Sequence, residues 1–208
     1  GIQAHTRTVW RLLERYHLPV FLFVNKMDLA GADRAAVLAG LKQHLGSGCV
    51  DFSGERDESF REEAAVCDEA ALEQYLETGE LPEDMISRLI GERKLFPCYF
   101  GSALKVEGVD ELLAGVERYA PQPDYPAEFG AKVFKIMRDA QGARLTHMKI
   151  TGGALHTKEL LTGREGDTVW QEKADQLRLY SGSKFHPVDT AEAGAVVAVT
   201  GLSHTFPG

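Results

Sequence analysis

The sequence is poor in the residues that would make several functions easy to assign. Of its 208 residues only three are cysteine, and Cys49, Cys67 and Cys98 lie scattered along the chain. Their number is odd and no Cys-x-x-Cys pair occurs, so neither a disulfide framework nor a thiolate zinc site is expected. That usage suits a reducing, cytoplasmic setting. No His-Glu-x-x-His occurs, and the seven histidines (His5, His17, His44, His147, His156, His186 and His204) show no metal-ligand spacing. No apolar run approaches the ~20 residues needed to cross a bilayer, and no signal peptide is visible. Positive charge is also short: 23 Lys and Arg against 31 Asp and Glu leave a formal net charge of −8. That excludes a general nucleic-acid binder held by a basic surface, while leaving room for a local basic contact with RNA. The chain opens at Gly1 without an initiator Met and in mid-pattern, so it is expected to be a fragment.

What is present predicts a folded protein. Hydrophobic residues make up 44%, enough for a proper core. From Thr6 to Tyr16, the apolar Val9, Leu12, Leu13 and Tyr16 recur with helical spacing and predict one buried stripe. Leu18-Pro19 ends that helix. Val20 to Val24 is nearly uniformly apolar and reads as a central parallel strand covered on both faces. Gly31-Ala32-Asp33 offers an N-cap for a second helix carrying Val37, Leu38, Leu41 and Leu45. This rhythm is that of a parallel α/β sheet.

Residues 46–54 read as a loop with a turn at Asp51-Phe52-Ser53-Gly54. An acidic helix over Glu62 to Glu77 and another from Pro82, with Met85, Ile86, Leu89 and Ile90 on its buried face, make a helical insert. Leu95 to Phe100 is a second apolar strand, followed by Gly101-Ser102-Ala103-Leu104-Lys105 and a helix over Val109 to Tyr119 with Leu112, Leu113 and Val116 inward. Pro121, Pro123 and Pro126 mark a linker. Beyond it, short β-like runs at 131–137, 145–150, 175–180 and 194–200, separated by polar or Gly-rich turns, predict a small antiparallel barrel. The expected division is an α/β domain over 1–121, a linker over 122–127 and an all-β barrel over 128–208.

The strand ends carry the chemistry. In an open parallel sheet, ligands bind beyond the carboxyl ends of the strands. Asn25, Lys26 and Asp28 follow the first strand at such a place. An Asp carboxylate offers only acceptors, and guanine presents N1–H and N2–H₂ side by side where adenine has no such pair. A site built on that match rejects the wrong base by roughly 10⁴-fold. The Asn25 amide can donate to O6 or N7 and brace neighbouring loops, and the Lys26 stem can lie across the base. From the second strand, a backbone N–H of Ala103 or Leu104 can reach guanine O6, and Ser102 can hold the loop carrying Asp28. A lone Asn-Lys-x-Asp is equally a polar strand-to-helix turn. Its place after an apolar strand, with Ser-Ala-Leu after a second one, favours base recognition.

The segments "GIQAHTRTVWRLL", "FVNKMD", "FGSAL", "KVFKI", "ITGGAL" and "AGAVVAVTGL" resemble the elongation factor G class of translational GTPases over nearly the whole chain. Within that class, "AHTRTVW" and "GARLTHMKI" are most similar to the tetracycline-resistance ribosomal protection proteins. The resemblance implies the later part of a Ras-like P-loop NTPase domain with a helical insert, then the β-barrel of a translation factor. It makes Asn25, Lys26 and Asp28 the guanine-recognition motif and Ser102, Ala103 and Leu104 the second guanine loop. It implies GTP or GDP with Mg²⁺ as cofactor of the full-length parent, a ribosomal partner whose small-subunit rRNA meets the barrel, a monomeric parent, and GTP hydrolysis coupled to ribosome conformational change. In the protection proteins that coupling releases tetracycline.

The departures are equally specific. No G-x-x-x-x-G-K-[ST] occurs, and the family's Asp-x-x-Gly and water-positioning His would lie ahead of Gly1. No catalytic and no metal-binding residue is therefore assigned, and this chain alone is expected neither to hydrolyse GTP nor to hold a cofactor. Two alternatives remain: a translocation factor, and a non-enzymatic ribosome-interaction module. An unrelated α/β enzyme would need a catalytic constellation, and the sequence offers none. The acidic pairs Asp57-Glu58, Glu62-Glu63 and Asp68-Glu69 read as a solvated face, and Trp10 and Trp170 as packing residues. Lys158, Arg164, Lys173, Arg178 and Lys184 are candidates for a rim touching rRNA phosphates. A sheet deprived of its neighbouring strands would expose an apolar edge and invite self-association.

Overall fold

A computed structural model describes residues 2–208; Gly1, the first residue of the GIQAHT segment, lies outside them. The chain divides into two compact units, Gly1–Gln122 and Pro123–Gly208.

The first unit runs α1 (Ala4–Arg15), β1 (Leu22–Val24), α2 (Arg34–His44), β2 (Cys49–Asp51), α3 (Glu58–Ala65), α4 (Glu69–Thr78), α5 (Glu83–Gly91), β3 (Phe96–Phe100) and α6 (Val109–Tyr119). The three strands form a parallel sheet in the order β1-β3-β2. β3 is the central strand and is buried at every position. Its residues alternate between two cores. Phe96, Cys98 and Phe100 join Trp10, Val20, Leu41 and Cys49, while Tyr99 joins Val50, Phe52, Leu89, Ile90 and Tyr119. Such double coverage is what a continuous apolar run encodes.

Several expectations are corrected. The run at Val20 to Val24 yields an edge strand whose residues are only half buried. A uniform apolar run reads the same whether a strand has one neighbour or two. β2 lies within a segment expected to be a loop, and three residues are too few to show a period. In α1 the buried residue is Trp10, set edge-on to Phe96 at 4.7 Å between ring centroids, while Val9, Leu12 and Tyr16 are exposed. The Arg93 guanidinium covers both rings and fixes that contact. The acidic helix is two helices, because Asp57 caps α3 through the Phe60 N–H and Asp68 caps α4 through the Ala71 N–H. In α6 the buried residues are Gly115 and Tyr119, and Leu113 faces solvent.

The second unit is entirely β: β4 (Gly130–Arg138), β5 (Arg144–Gly152), β6 (Ala154–His156), β7 (Leu160–Glu165), β8 (Thr168–Lys173), β9 (Gln176–Ser181), β10 (Lys184–Val188), β11 (Thr190–Glu192) and β12 (Val196–Thr200). An antiparallel five-stranded sheet has the order β10-β9-β12-β5-β4, and two ribbons pair β11 with β6 and β7 with β8. Met148, Ile150, Leu155, Leu177, Val197 and Val199 form its core. The strands β6, β7, β8, β10 and β11 were not anticipated, being short or polar. Among the described residues no helix is long and apolar enough to cross a membrane.

Candidate functional site

Because β1 and β3 are parallel, their carboxyl ends lie side by side, with Val24 opposite Phe100. The pairing continues beyond the strands. The Gly101 N–H donates to the Val24 carbonyl at 3.0 Å, and the Met27 N–H donates to the Gly101 carbonyl at 3.0 Å. Gly101 is required here, since a Cβ would stand 2.0 Å from the Glu107 carbonyl oxygen. Two backbone bonds between Ser102 and Glu107, both 3.0 Å, close the loop that carries Ala103 to Val106. Val106 has φ +62°, uncommon for a β-branched residue and a mark of a tightly determined loop.

Asn25 joins the two loops. Its Oδ1 accepts from the Lys26 N–H at 2.7 Å and from the Ala103 N–H at 2.9 Å. Lys26 has φ +68°, which turns the chain sharply at the strand end. The Asp28 carboxylate lies 3.4 Å from the Lys105 ammonium. The buried Ser102 side chain and Lys105 favour the charged carboxylate and hold the Asp28 pKa below the ordinary aspartate value. Leu104 projects from the loop tip, 92% exposed. The structure thus brings Asn25, Lys26 and Asp28 together with Ser102 and Ala103. Of the two amides expected to reach a base, that of Ala103 is committed to Asn25, while that of Leu104 carries no hydrogen bond among the described residues.

Lys105 is the neighbour of Asp28 that the sequence does not announce. A lysine three residues beyond a serine carries no motif signal, and only the closed loop brings it to Asp28. Replacing Lys105 with Met is expected to raise the pH at which Asp28 titrates, because one of the groups favouring the carboxylate is gone; a side-chain carboxyl NMR titration measures this. A cleft of about 670 Å³ runs beside the site, lined among others by Leu22, Val24, Asn25, Met27 and Val37.

A parallel α/β sheet with these two loops at its strand ends, followed by a β-rich unit, defines a GTPase-like domain of the P-loop class with an appended β domain. Residues 1–122 match the elongation factor Tu GTP binding domain, and the chain belongs to that family. The whole chain is also similar to a crystal structure of a protein from Thermus thermophilus, with 25% identity and a TM-score of 0.81 over 100% of this chain. It spans 38% of that protein's chain.

The family's nucleotide can be tested against these residues part by part. For the base, a carboxylate, an amide and an N–H with no hydrogen bond among the described residues lie at one strand edge, groups of the kind that a purine edge pairs with. For the phosphates, the sequence carries no G-x-x-x-x-G-K-[ST] loop. In the β unit, three of the candidate rim cations are already engaged. Lys158 pairs with Asp175, Arg164 with Asp167 and Arg178 with Asp139.

Proposed function

We propose that this chain is the base-recognising part of a translational GTPase that acts on the ribosome. The observation that carries this reading is the hydrogen bond from the Ala103 N–H to Asn25 Oδ1, which joins the two expected base-binding loops into one surface. On that surface Asp28 accepts the N1–H and N2–H₂ edge of guanine, the Leu104 N–H meets O6, and the Lys26 stem covers the ring face. Lys105 must share or yield the carboxylate when the base arrives. The expected outcome of titrating the chain with nucleosides is saturable NMR shifts at Asp28 and Leu104 with guanosine and not with adenosine. Equal responses to both would refute base recognition here.

The β unit supports a ribosomal role. Phe134, Tyr180 and Phe185 stand exposed on the five-stranded sheet, and the Arg178 guanidinium lies 4.4 Å over the Phe185 ring. Aromatic and guanidinium surfaces of this kind stack unpaired RNA bases. With Arg178 paired to Asp139, this surface favours stacking over a pure phosphate grip. We assign the finer role to tetracycline protection, on the likeness of the AHTRTVW and GARLTHMKI segments.

A further inference from the structure

A second site lies away from the guanine loops, where the segment after β2 meets α6. Here a cleft of about 520 Å³ is lined by Phe52, Arg56, Tyr99, Gly115 and Tyr119, with Glu55 and Glu111 also in its wall. Arg56 is held over three aromatic rings, 4.3 Å from Phe52, 4.4 Å from Phe60 and 5.5 Å from Tyr119. Among the described residues its guanidinium makes one hydrogen bond, a long one from Nη1 to the Phe52 carbonyl at 3.3 Å. Among the described residues it has no carboxylate partner, whereas Arg118, in the same wall, is paired with Glu83.

The Tyr99 hydroxyl is the second half of the site. Tyr99 is 1% exposed, and among the described residues its hydroxyl has no hydrogen-bond partner. Burial pushes its pKa up, so it stands as a neutral donor. The hydroxyl reaches its place only because residue 115 is glycine: a Cβ there would stand 1.7 Å from it. Two costs meet at this point. A glycine inside a helix is destabilising relative to alanine, and a buried hydroxyl left without a partner destabilises the fold. Phenylalanine at 99 would remove the second cost with no loss of packing. The cleft wall thus holds a guanidinium without a carboxylate partner and a tyrosine hydroxyl without a hydrogen bond among the described residues.

We propose that this cleft binds a small carboxylate ligand, one oxygen accepting from the Arg56 guanidinium and the other from the Tyr99 hydroxyl. A guanidinium fork matches a carboxylate, and its ring stacking leaves the N–H edge for the ligand. Glu55 and Glu111 disfavour a doubly charged anion, so a monoanion is preferred over phosphate. The volume admits a small metabolite and not only a bare ion.

The test is an NMR titration of the chain with acetate, at constant ionic strength set by chloride. The expected result is saturable shifts of the Arg56 Nε–H and the Gly115 amide, weakened at least tenfold by both Tyr99→Phe and Arg56→Gln. Tyr99→Phe should melt no lower than the parent, which separates lost binding from lost fold; should Arg56→Gln misfold, Arg56→Lys keeps the charge and removes the fork. Shifts that never saturate, or that persist unchanged in Tyr99→Phe, overturn the site. Tighter binding of inorganic phosphate at pH 8 than of acetate overturns the carboxylate assignment.

Discussion

Replacing Asp28 with Asn should exchange the base preferred by the strand-end site from guanine to xanthine. In the proposed pose the carboxylate accepts from both N1–H and N2–H₂ of guanine, and hydrogen bonds to a charged group are each worth about 1.5–3 kcal/mol. The amide of Asn turns one acceptor into a donor, which faces the N2 amine of guanine and repels it. Xanthine carries an oxygen at that position and pairs with the new donor. The ratio of guanosine to xanthosine affinity should therefore fall by roughly 100-fold or more, the discrimination coming from attraction to one base and repulsion of the other. Lys105 also loses its 3.4 Å ion pair in this variant, so it no longer competes with the incoming base. Competition between the two nucleosides, followed by NMR in parent and variant, measures the change. An unaltered ratio would remove Asp28 from base recognition.

The meeting of these residues at two neighbouring strand ends was legible in the sequence because its signals are local. Asn25, Lys26 and Asp28 follow an apolar run, and Ser102 to Leu104 follow another, so parallel pairing alone brings them to one edge. The contacts that join the loops were not legible. Which N–H Asn25 would take, and that Lys105 would reach Asp28, depend on the closed turn at Ser102 and Glu107. The fold follows the same division. β3 and the helices α2, α5 and α6 announce themselves by length and period. β2 and β6 have three residues each and pair only because distant strands are in place. The face of α1 was misjudged because Val9 and Leu12 have the right spacing, while the bulk of Trp10 and its contact with Phe96 decide the packing.

The largest stability effect in the β unit is expected at Glu172 on β8. Its carboxylate accepts from the Ser203 N–H at 2.8 Å, the His204 N–H at 3.0 Å and His204 Nδ1 at 2.9 Å, and it also takes the Ser203 hydroxyl. His204 in turn stacks on Trp170, with ring planes 17° apart. One carboxylate thus ties the residues beyond β12 to β8. The hydroxyl and amide donors of Ser203 and His204 outweigh burial and pull the Glu172 pKa from its ordinary 4.5 to about 2. A depressed folded-state pKa means that the ionised group stabilises the fold at pH values above about 4.5. That contribution is lost as the pH falls from about 4.5 towards 2. Glu172→Gln keeps the shape and one acceptor but loses the charge. It should cost about 2 kcal/mol at neutral pH, or roughly 10 °C in the melting temperature of a unit of this size. The variant should also show a flatter dependence of stability on pH between 4.5 and 2 than the parent. Calorimetry at pH 6, 4 and 3 separates the two effects. A variant that melts with the parent at pH 6 would show that backbone pairing alone holds the segment, whereas convergence of the two curves only at pH 3 would identify the charge as what binds it.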